Sequence, residues 1–375
     1  MKLIVFGLTL SSSWGNGHAT LWRGLLRALA RDGHQVHFFE RNVEYYARHR
    51  DLTELDEPAL ILYETWESVL PEARRQLADA DAAIVTSYCP DALPASILLR
   101  DEYASVLKVF YDLDTPVTLA RLKDGKDVSY IPEYGLADFD LALSYTGGGA
   151  LEELQQKLAA PRVAALYGHV DPQTHFPLQA RPHPRAALSY LGTYAADRQA
   201  ALDTLLLEPA RRSPQARFVI GGSGYPPDFP WLSNVWFVRH VPPPEHPAFF
   251  AASRMTLNVT RADMAAMGYC PSGRLFEAAA CGTPIVSDYW RGLESFYTPG
   301  EELLIAGTSD DVCAALECSD EALARIAQRA RERTLDQHTS AHRARELVSI
   351  LEDAASPSVR QRAMRAHVEY IPPEI

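Results

Sequence analysis

The sequence predicts an α/β protein built from two Rossmann-like, doubly wound domains that face each other across a cleft. Three observations predict it. Short β-branched runs alternate with helix-period segments, the pattern of a parallel sheet covered on both faces. The alternation comes in two series, separated by a proline-rich stretch, "HVDPQTHFPLQARPHPRAAL", between about 169 and 188. The chain has 375 residues, more than one ordinary core organises, since domains usually hold about 100 to 200 residues.

The first series opens with "KLIVF" (2–6), a buried strand bounded by Gly7. A glycine-containing loop leads into "TLWRGLLRALARDGHQV", where Leu21, Leu25 and Leu29 share a helix face and Asp32-Gly33 ends it. "QVHFFE" is the next strand, and "AAIVTS" (82–87), "LKVFYD" (107–112) and "LALSYT" (141–146) repeat the pattern. The second series contains "LSYLGTY", "RFVIGGSG", "VWFVRHV", "MTLNVTR" and "TPIVSD". A long helical region near 320–355 follows, and "SPSVRQRAMRAHVEYIPPEI" reads as a terminal helix and tail.

Composition narrows the function. Apolar residues are 47% and charged residues 22%, with a formal net charge of −12. An acidic chain with no long Lys/Arg run is a poor ligand for nucleic acid or anionic membrane. No apolar run reaches membrane-spanning length. The start resembles a secretory signal but leads into a Gly-rich turn and an amphipathic helix, so a buried strand is expected there. Five cysteines without C-x-x-C spacing read as reduced thiols of a cytoplasmic protein, not as a zinc site or disulfide frame.

Glycine-rich loops at strand ends carry the site. "GLTLSSSWGNGHA" places Gly15, Asn16 and Gly17 before a helix N-terminus, where free N–H groups favour anions. The dinucleotide fingerprint fails, because Thr20 stands where its last glycine belongs, and a Walker lysine is missing. Glu40 is the only near match to a ribose-binding acid at the end of the second strand. His18 reads equally as a capping residue or as a base or donor. "SYTGGGALEEL" repeats the strand, glycine and helix order with Thr146, Gly147 and Gly148, and Gly192-Thr193 and "GGSGYP" do so in the second series. Loops of this kind at strand ends suit a ligand cleft. "YDLDTP" offers Asp112 and Asp114 as strand-end carboxylates. Two oxygen ligands do not make a divalent metal site, so they are read as base or hydroxyl acceptor, or as turn chemistry.

One segment has a more particular look. "PSGRLFEAAACGTPIVSD" (271–288) sets Glu277 inside an otherwise apolar helix, then turns at Gly282-Thr283-Pro284 into a strand. It resembles the donor-binding helix of glycosyltransferases of the GT-B fold. Together with "SWGNGHATLWRGLLRALARDGHQVHFFE", "YDLDTP", "SYTGGGALEEL", "YGHVDPQTHFP", "LNVTR" and "LDQHTSAHRARELV", the chain is similar to the CgeB-like, spore-maturation-type glycosyltransferases over most of its length. The resemblance implies sugar transfer from a nucleotide-diphosphate sugar to an acceptor, in the interdomain cleft, without cofactor or essential metal. It implies an acceptor-side domain over 1–175, a donor-side domain over 176–355, and a crossing back from about 356. Ser272, Gly273 and Arg274 would meet the pyrophosphate, Glu277 the ribose, and Gly192, Thr193, Arg261 and Glu294 other parts of the donor. Many retaining relatives carry a second acid where this chain has Tyr269, so the stereochemistry stays open. An inverting reaction needs a base, and His18, Asp112 and Asp114 are the candidates. In a retaining one they would orient the acceptor. A nucleotide-sugar epimerase and a non-catalytic nucleotide-sugar-binding protein remain the competing readings, and nucleobase, sugar and acceptor stay open.

Overall fold

The computed structural model describes residues 1–52, 59–178 and 185–355. The first series is β1 (Lys2–Gly7), α1 (Gly17–Arg31), β2 (Gln35–Arg41), α2 (Glu44–Ala47), β3 (Ala59–Tyr63), α3 (Trp66–Leu77), β4 (Ala82–Thr86), α4 (Ala92–Glu102), β5 (Leu107–Asp112), α5 (Thr115–Lys123), β6 (Leu141–Ser144), α6 (Gly149–Leu158) and β7 (Val163–Ala165). Its strands pair in parallel in the order β3-β2-β1-β4-β5-β6-β7. The second series is β8 (Ala186–Leu191), α7 (Gln199–Leu202), α8 (Glu208–Arg212), β9 (Phe218–Gly221), β10 (Val235–Val238), α9 (His246–Ala251), β11 (Ser253–Asn258), α10 (Ala262–Met267), α11 (Gly273–Ala280), β12 (Ile285–Ser287), β13 (Leu304–Ile305), α12 (Ser309–Leu316), α13 (Asp320–Gln337) and α14 (Ser340–Ala355). These strands also pair in parallel, as β10-β9-β8-β11-β12-β13.

Both sheets are buried on two faces, as the unbroken apolar runs require. In β1, Leu3 and Val5 join a core with Leu25 and Leu29 of α1, while Ile4 and Phe6 join the opposite core with Ala73 and Leu77 of α3 and Leu99 of α4. This is the period of two that sends successive side chains to opposite faces. In each sheet the strand order reverses once, between β1 and β4 and between β8 and β11. A crevice opens outside the carboxyl ends of the strands at such points.

The long helical region expected near 320–355 is made of two helices. It breaks at His338-Thr339 into α13 and α14, and Thr339 bridges to Val170 in the chain between the sheets. Ala344, Leu347, Leu351 and Ala354 of α14 then complete the core on α1. The return to the first sheet is thus made by a helix inside the span read as donor-side domain. The segment expected to cross back, 356–375, lies outside the described residues. Strands β3, β7 and β13 were not anticipated, being short and at or near sheet edges. No helix among the described residues is long and apolar enough to cross a membrane.

Candidate active site

A cavity of about 480 Å³ lies between the two sheets. The loops after β1, β4, β8 and β11, those beside the strand-order reversals, all contribute to its lining, as does the loop after β5. Of the residues singled out in the sequence, Gly15, Asn16, Gly17, His18, Asp114, Gly192, Thr193, Arg261, Ser272, Gly273, Arg274 and Glu277 line it.

The loop after β1 is fastened by carboxylates. Glu40, 1% exposed at the end of β2, accepts from the Leu10 and Ser11 N–H groups at 2.6 and 2.8 Å and from the Thr9 and Ser11 hydroxyls at 3.0 and 2.5 Å. Asp51 accepts from the Ser13 N–H at 3.0 Å and from the Arg23 guanidinium at 2.6 Å. Those amides are spent in holding the stretch from Leu10 to Ser13, and Glu40 is committed to that loop and not to a ribose. Asn16 caps α1, its Oδ1 accepting from the His18 N–H at 2.9 Å. Trp14 stacks on His49 with ring centroids 4.1 Å apart and meets His240 of the facing unit at 4.6 Å.

The cap carries His18 into the cavity, where its Nε2 stands 3.9 Å from Asp114 Oδ2. Burial lowers the imidazole pKa, and the Asp114 charge opposes that only in part. Tyr88 completes the group, its ring 6.0 Å from that of His18. Its φ of +63° is unusual for a bulky residue, and such strain clusters at functional sites. Burial and the Asp114 charge push its phenol well up.

Asp112 departs from expectation. It is fully buried beneath the cavity and its Oδ1 accepts from the Asp114 N–H at 3.0 Å. Burial raises its pKa to about 6, and the Asp114 N–H opposes the rise. It therefore shapes the turn that presents Asp114.

On the facing side, α11 begins at the cavity with Ser272 as N-cap. Its first-turn N–H groups supply the partial positive charge of a helix N-terminus. Arg274 is buried, donating to the Leu191 carbonyl and, at 3.0 Å, to Asn258 Oδ1. Gly192 is needed for this contact, because a Cβ there would lie 2.6 Å from Arg274 Nη2. Two further guanidinium groups line the cavity. Arg261 pairs with Asp197 at 3.2 Å. Burial works against its charge, but Asp114 and Asp197 outweigh it and raise its pKa. Arg198, which sequence reading missed, donates to the Thr193 carbonyl at 3.2 Å and keeps a buried Nε without partner.

Glu277 lies one turn into α11 with a 15% exposed side chain. Its Oε2 is 3.6 Å from His246 Nδ1, and His175 Nε2 is 3.0 Å from the same nitrogen. Among the described residues these three alone come close enough together to hold a metal ion. His246 Nε2 is 3.1 Å from the Val241 carbonyl, which makes it the donor and leaves Nδ1 to accept from His175, while His175 Nδ1 has no partner. Burial holds both rings below the ordinary imidazole pKa, His175 at about 4.

The remaining predicted residues lie outside the cavity. Gly147 and Gly148 serve packing between the units: the Gly147 N–H donates to the Tyr269 carbonyl at 3.0 Å, and a Cβ on Gly148 would lie 2.6 Å from the Tyr269 ring. Thr146 donates to Cys270 at 3.2 Å. Tyr269 itself has φ +49° and wedges its ring between Gly148 and Gly292. Glu294 is exposed on a short turn beside Tyr289. The contacts of Thr146, Gly147 and Gly148 were not visible in a single sequence, since each joins segments far apart along the chain.

Comparison with known proteins gives three findings. A glycosyl transferase-like family model matches residues 198–349, which hold α11 and Glu277. A search of curated proteins finds no match. Among solved structures, the chain is similar to sucrose-phosphate synthase from Thermosynechococcus elongatus, with TM-score 0.71 and 15% identity over 95% of this chain and 100% of that one. It is also similar to Anabaena HepE in complex with UDP and glucose, at TM-score 0.64 and 12% identity over 94% and 100%. A third neighbour is the catalytic domain of starch synthase IV from Arabidopsis thaliana bound to ADP and acarbose, at TM-score 0.66 and 12% identity over 94% and 99%. The fold is the two-unit GT-B architecture of these glycosyltransferases.

Proposed function

We propose that this chain is a glycosyltransferase that moves a sugar from a nucleotide-diphosphate sugar to a hydroxyl-bearing acceptor. One observation carries the reading: a single cavity sets the N-terminus of α11 and the guanidinium groups of Arg198 and Arg261 opposite the His18–Asp114 pair. The first set suits a diphosphate, the second a hydroxyl proton. The family match over the donor half and the nucleotide complexes of the structural neighbours support it.

In this reading the donor-side unit holds the nucleotide. Glu277 accepts the ribose hydroxyls through its carboxylate, which stands beside the neutral His246–His175 pair. The α11 N–H groups at Ser272 and Gly273, with Arg198 and Arg261, stabilise the charge that grows on the leaving diphosphate. Arg274 contributes from beneath, with its Nε and Nη1 groups committed to the scaffold. These fixed cations do the neutralising, so the reaction proceeds without a metal. The bond from the sugar C1 to the diphosphate oxygen breaks and a bond from C1 to the acceptor oxygen forms. The acceptor proton passes to His18, whose imidazolium Asp114 then stabilises. The "YGHVDPQTHFP" and "LDQHTSAHRARELV" segments support placement nearest the CgeB-like enzymes, and five unpaired cysteines suit a reducing cytoplasm.

Calorimetric or thermal-shift titration with UDP-, dTDP-, GDP- and ADP-sugars tests the proposal, repeated on Glu277→Ala. One nucleotide sugar should stabilise the wild type, and the variant should bind it at least tenfold more weakly. A wild type that binds none of them overturns the reading, and equal affinity in Glu277→Ala overturns the ribose assignment.

A further inference from the structure

The strand of chain joining the two units leaves one polar group unused. Here the Val170 N–H donates to the His338 carbonyl at 3.0 Å, and the Ser340 N–H donates to the Val170 carbonyl at 2.8 Å. His169 is held in this clasp. It is 4% exposed and lines the same cavity as Ser272, Gly273 and Glu277. Its Nδ1 is 2.9 Å from Ser340 Oγ, and its Nε2 has no partner. A buried polar atom left unpaired costs free energy, and such atoms in native structures call for an explanation.

The surroundings say what would pair with it. A Cβ at Gly168 would lie 2.1 Å from the Tyr145 hydroxyl and 3.3 Å from Phe276 of α11, and a Cβ at Gly273 would lie 3.9 Å from that same hydroxyl. His169 therefore follows directly on a segment packed against Tyr145 and α11, and Tyr145 reaches the first turn of that helix. Burial, reinforced by Arg343, pulls the imidazole pKa to about 3, so the ring stays neutral. A neutral ring has one donor and one acceptor nitrogen, and the Ser340 hydroxyl serves either role at Nδ1. With the serine donating, Nε2 carries the hydrogen.

We propose that His169 is a further donor-binding residue, giving an Nε2–H hydrogen bond to the diphosphate of the nucleotide sugar while Ser340 holds the tautomer. The inference rests on the nucleotide-sugar reading of the cavity. The arginines supply charge, and the imidazole supplies direction. Its hydrogen bond strengthens as negative charge gathers on the leaving oxygens.

Calorimetry separates this role from a structural one. Wild type is titrated with UDP, ADP, GDP and dTDP, and the tightest is compared with its parent nucleoside. For His169→Ala the diphosphate Kd should rise tenfold or more while the nucleoside Kd stays within twofold. His169→Gln, whose amide can donate, should recover to within threefold of wild type. If the alanine variant does not fold, His169→Phe keeps a buried ring without a donor and is read the same way. Unchanged diphosphate affinity, or an equal loss for diphosphate and nucleoside, overturns the inference alone. A wild type that binds none of the four overturns the functional reading and the inference together.

Discussion

His18 reaches the cavity because Asn16 caps the helix beneath it, and Asp114 reaches it because Asp112 holds the turn. Separated by 3.9 Å, the pair is too far apart for a hydrogen bond yet close enough to steady an imidazolium once the ring takes a proton. Removing a positioned base typically costs about 10²–10⁴-fold in rate. His18→Ala should therefore lose about that factor in kcat, with donor affinity within twofold of wild type. Because burial lowers the His18 pKa, its neutral form predominates at pH 7, and kcat/KM should rise with pH along an acid limb centred below the ordinary value of about 6.5. A limb centred above that value, or donor affinity lost in step with kcat, would remove His18 from the chemistry.

At the scale of elements, the interface between loops is the most constrained part. Gly292 has φ +91°, and a Cβ there would lie 2.4 Å from the Tyr269 ring. Gly292→Ala should destabilise by about 1–3 kcal/mol through strain and overpacking. Gly17→Ala, at a position where nothing lies within 4 Å, should stay within about 0.5 kcal/mol. Chemical denaturation of both checks the contrast, and equal stabilities would discount the wedge. The same wedge explains what could be read in advance. The strands "KLIVF", "QVHFFE", "LKVFYD" and "MTLNVT" announce themselves by short runs rich in β-branched, aromatic and aliphatic residues, and α11 by its composition. The donor loop and Glu277 came with it, since their residues are contiguous. Gly147 and Gly148 looked like ligand glycines because a sequence does not show that Tyr269, more than 100 positions later, fills the space beside them. Tyr88 was invisible because its signal is a backbone angle, and Arg198 because a lone arginine at a helix start is ordinary surface chemistry.

Across the whole molecule, proton linkage acts through buried histidines. Burial lowers the pKa of His169 to about 3, of His175 to about 4 and of His338 to about 3, with Arg343 reinforcing the first and last. In the unfolded chain each titrates near 6.5. As pH falls below about 6.5 the unfolded state gains three protons at these sites that the folded state refuses, the buried His18 and His246 add to this in the same sense, and stability drops. Asp112 acts in the opposite sense, because burial lifts its folded pKa to about 6 and the folded state then holds one extra proton. Three protons against one leaves at least two, a slope of at least about 3 kcal/mol per pH unit near pH 5. Against a total of about 5–15 kcal/mol, acid unfolding is expected between about pH 6 and pH 4. Thermal melts across that interval check it, and a flat Tm would contradict the histidine assignment.

The helix α14 has a consequence for synthesis. Its residues Ala344, Leu347, Leu351 and Ala354 cover the same face of the first sheet that Leu25 and Leu29 begin to build. Chains fold N-terminal part first as they leave the ribosome, so the first unit emerges with that apolar face bare. It stays bare until the entire second unit has followed. A nascent chain stalled before 340 would thus present a nearly complete but uncapped domain, a ready target for chaperones, and the emergence of α14 is what seals it.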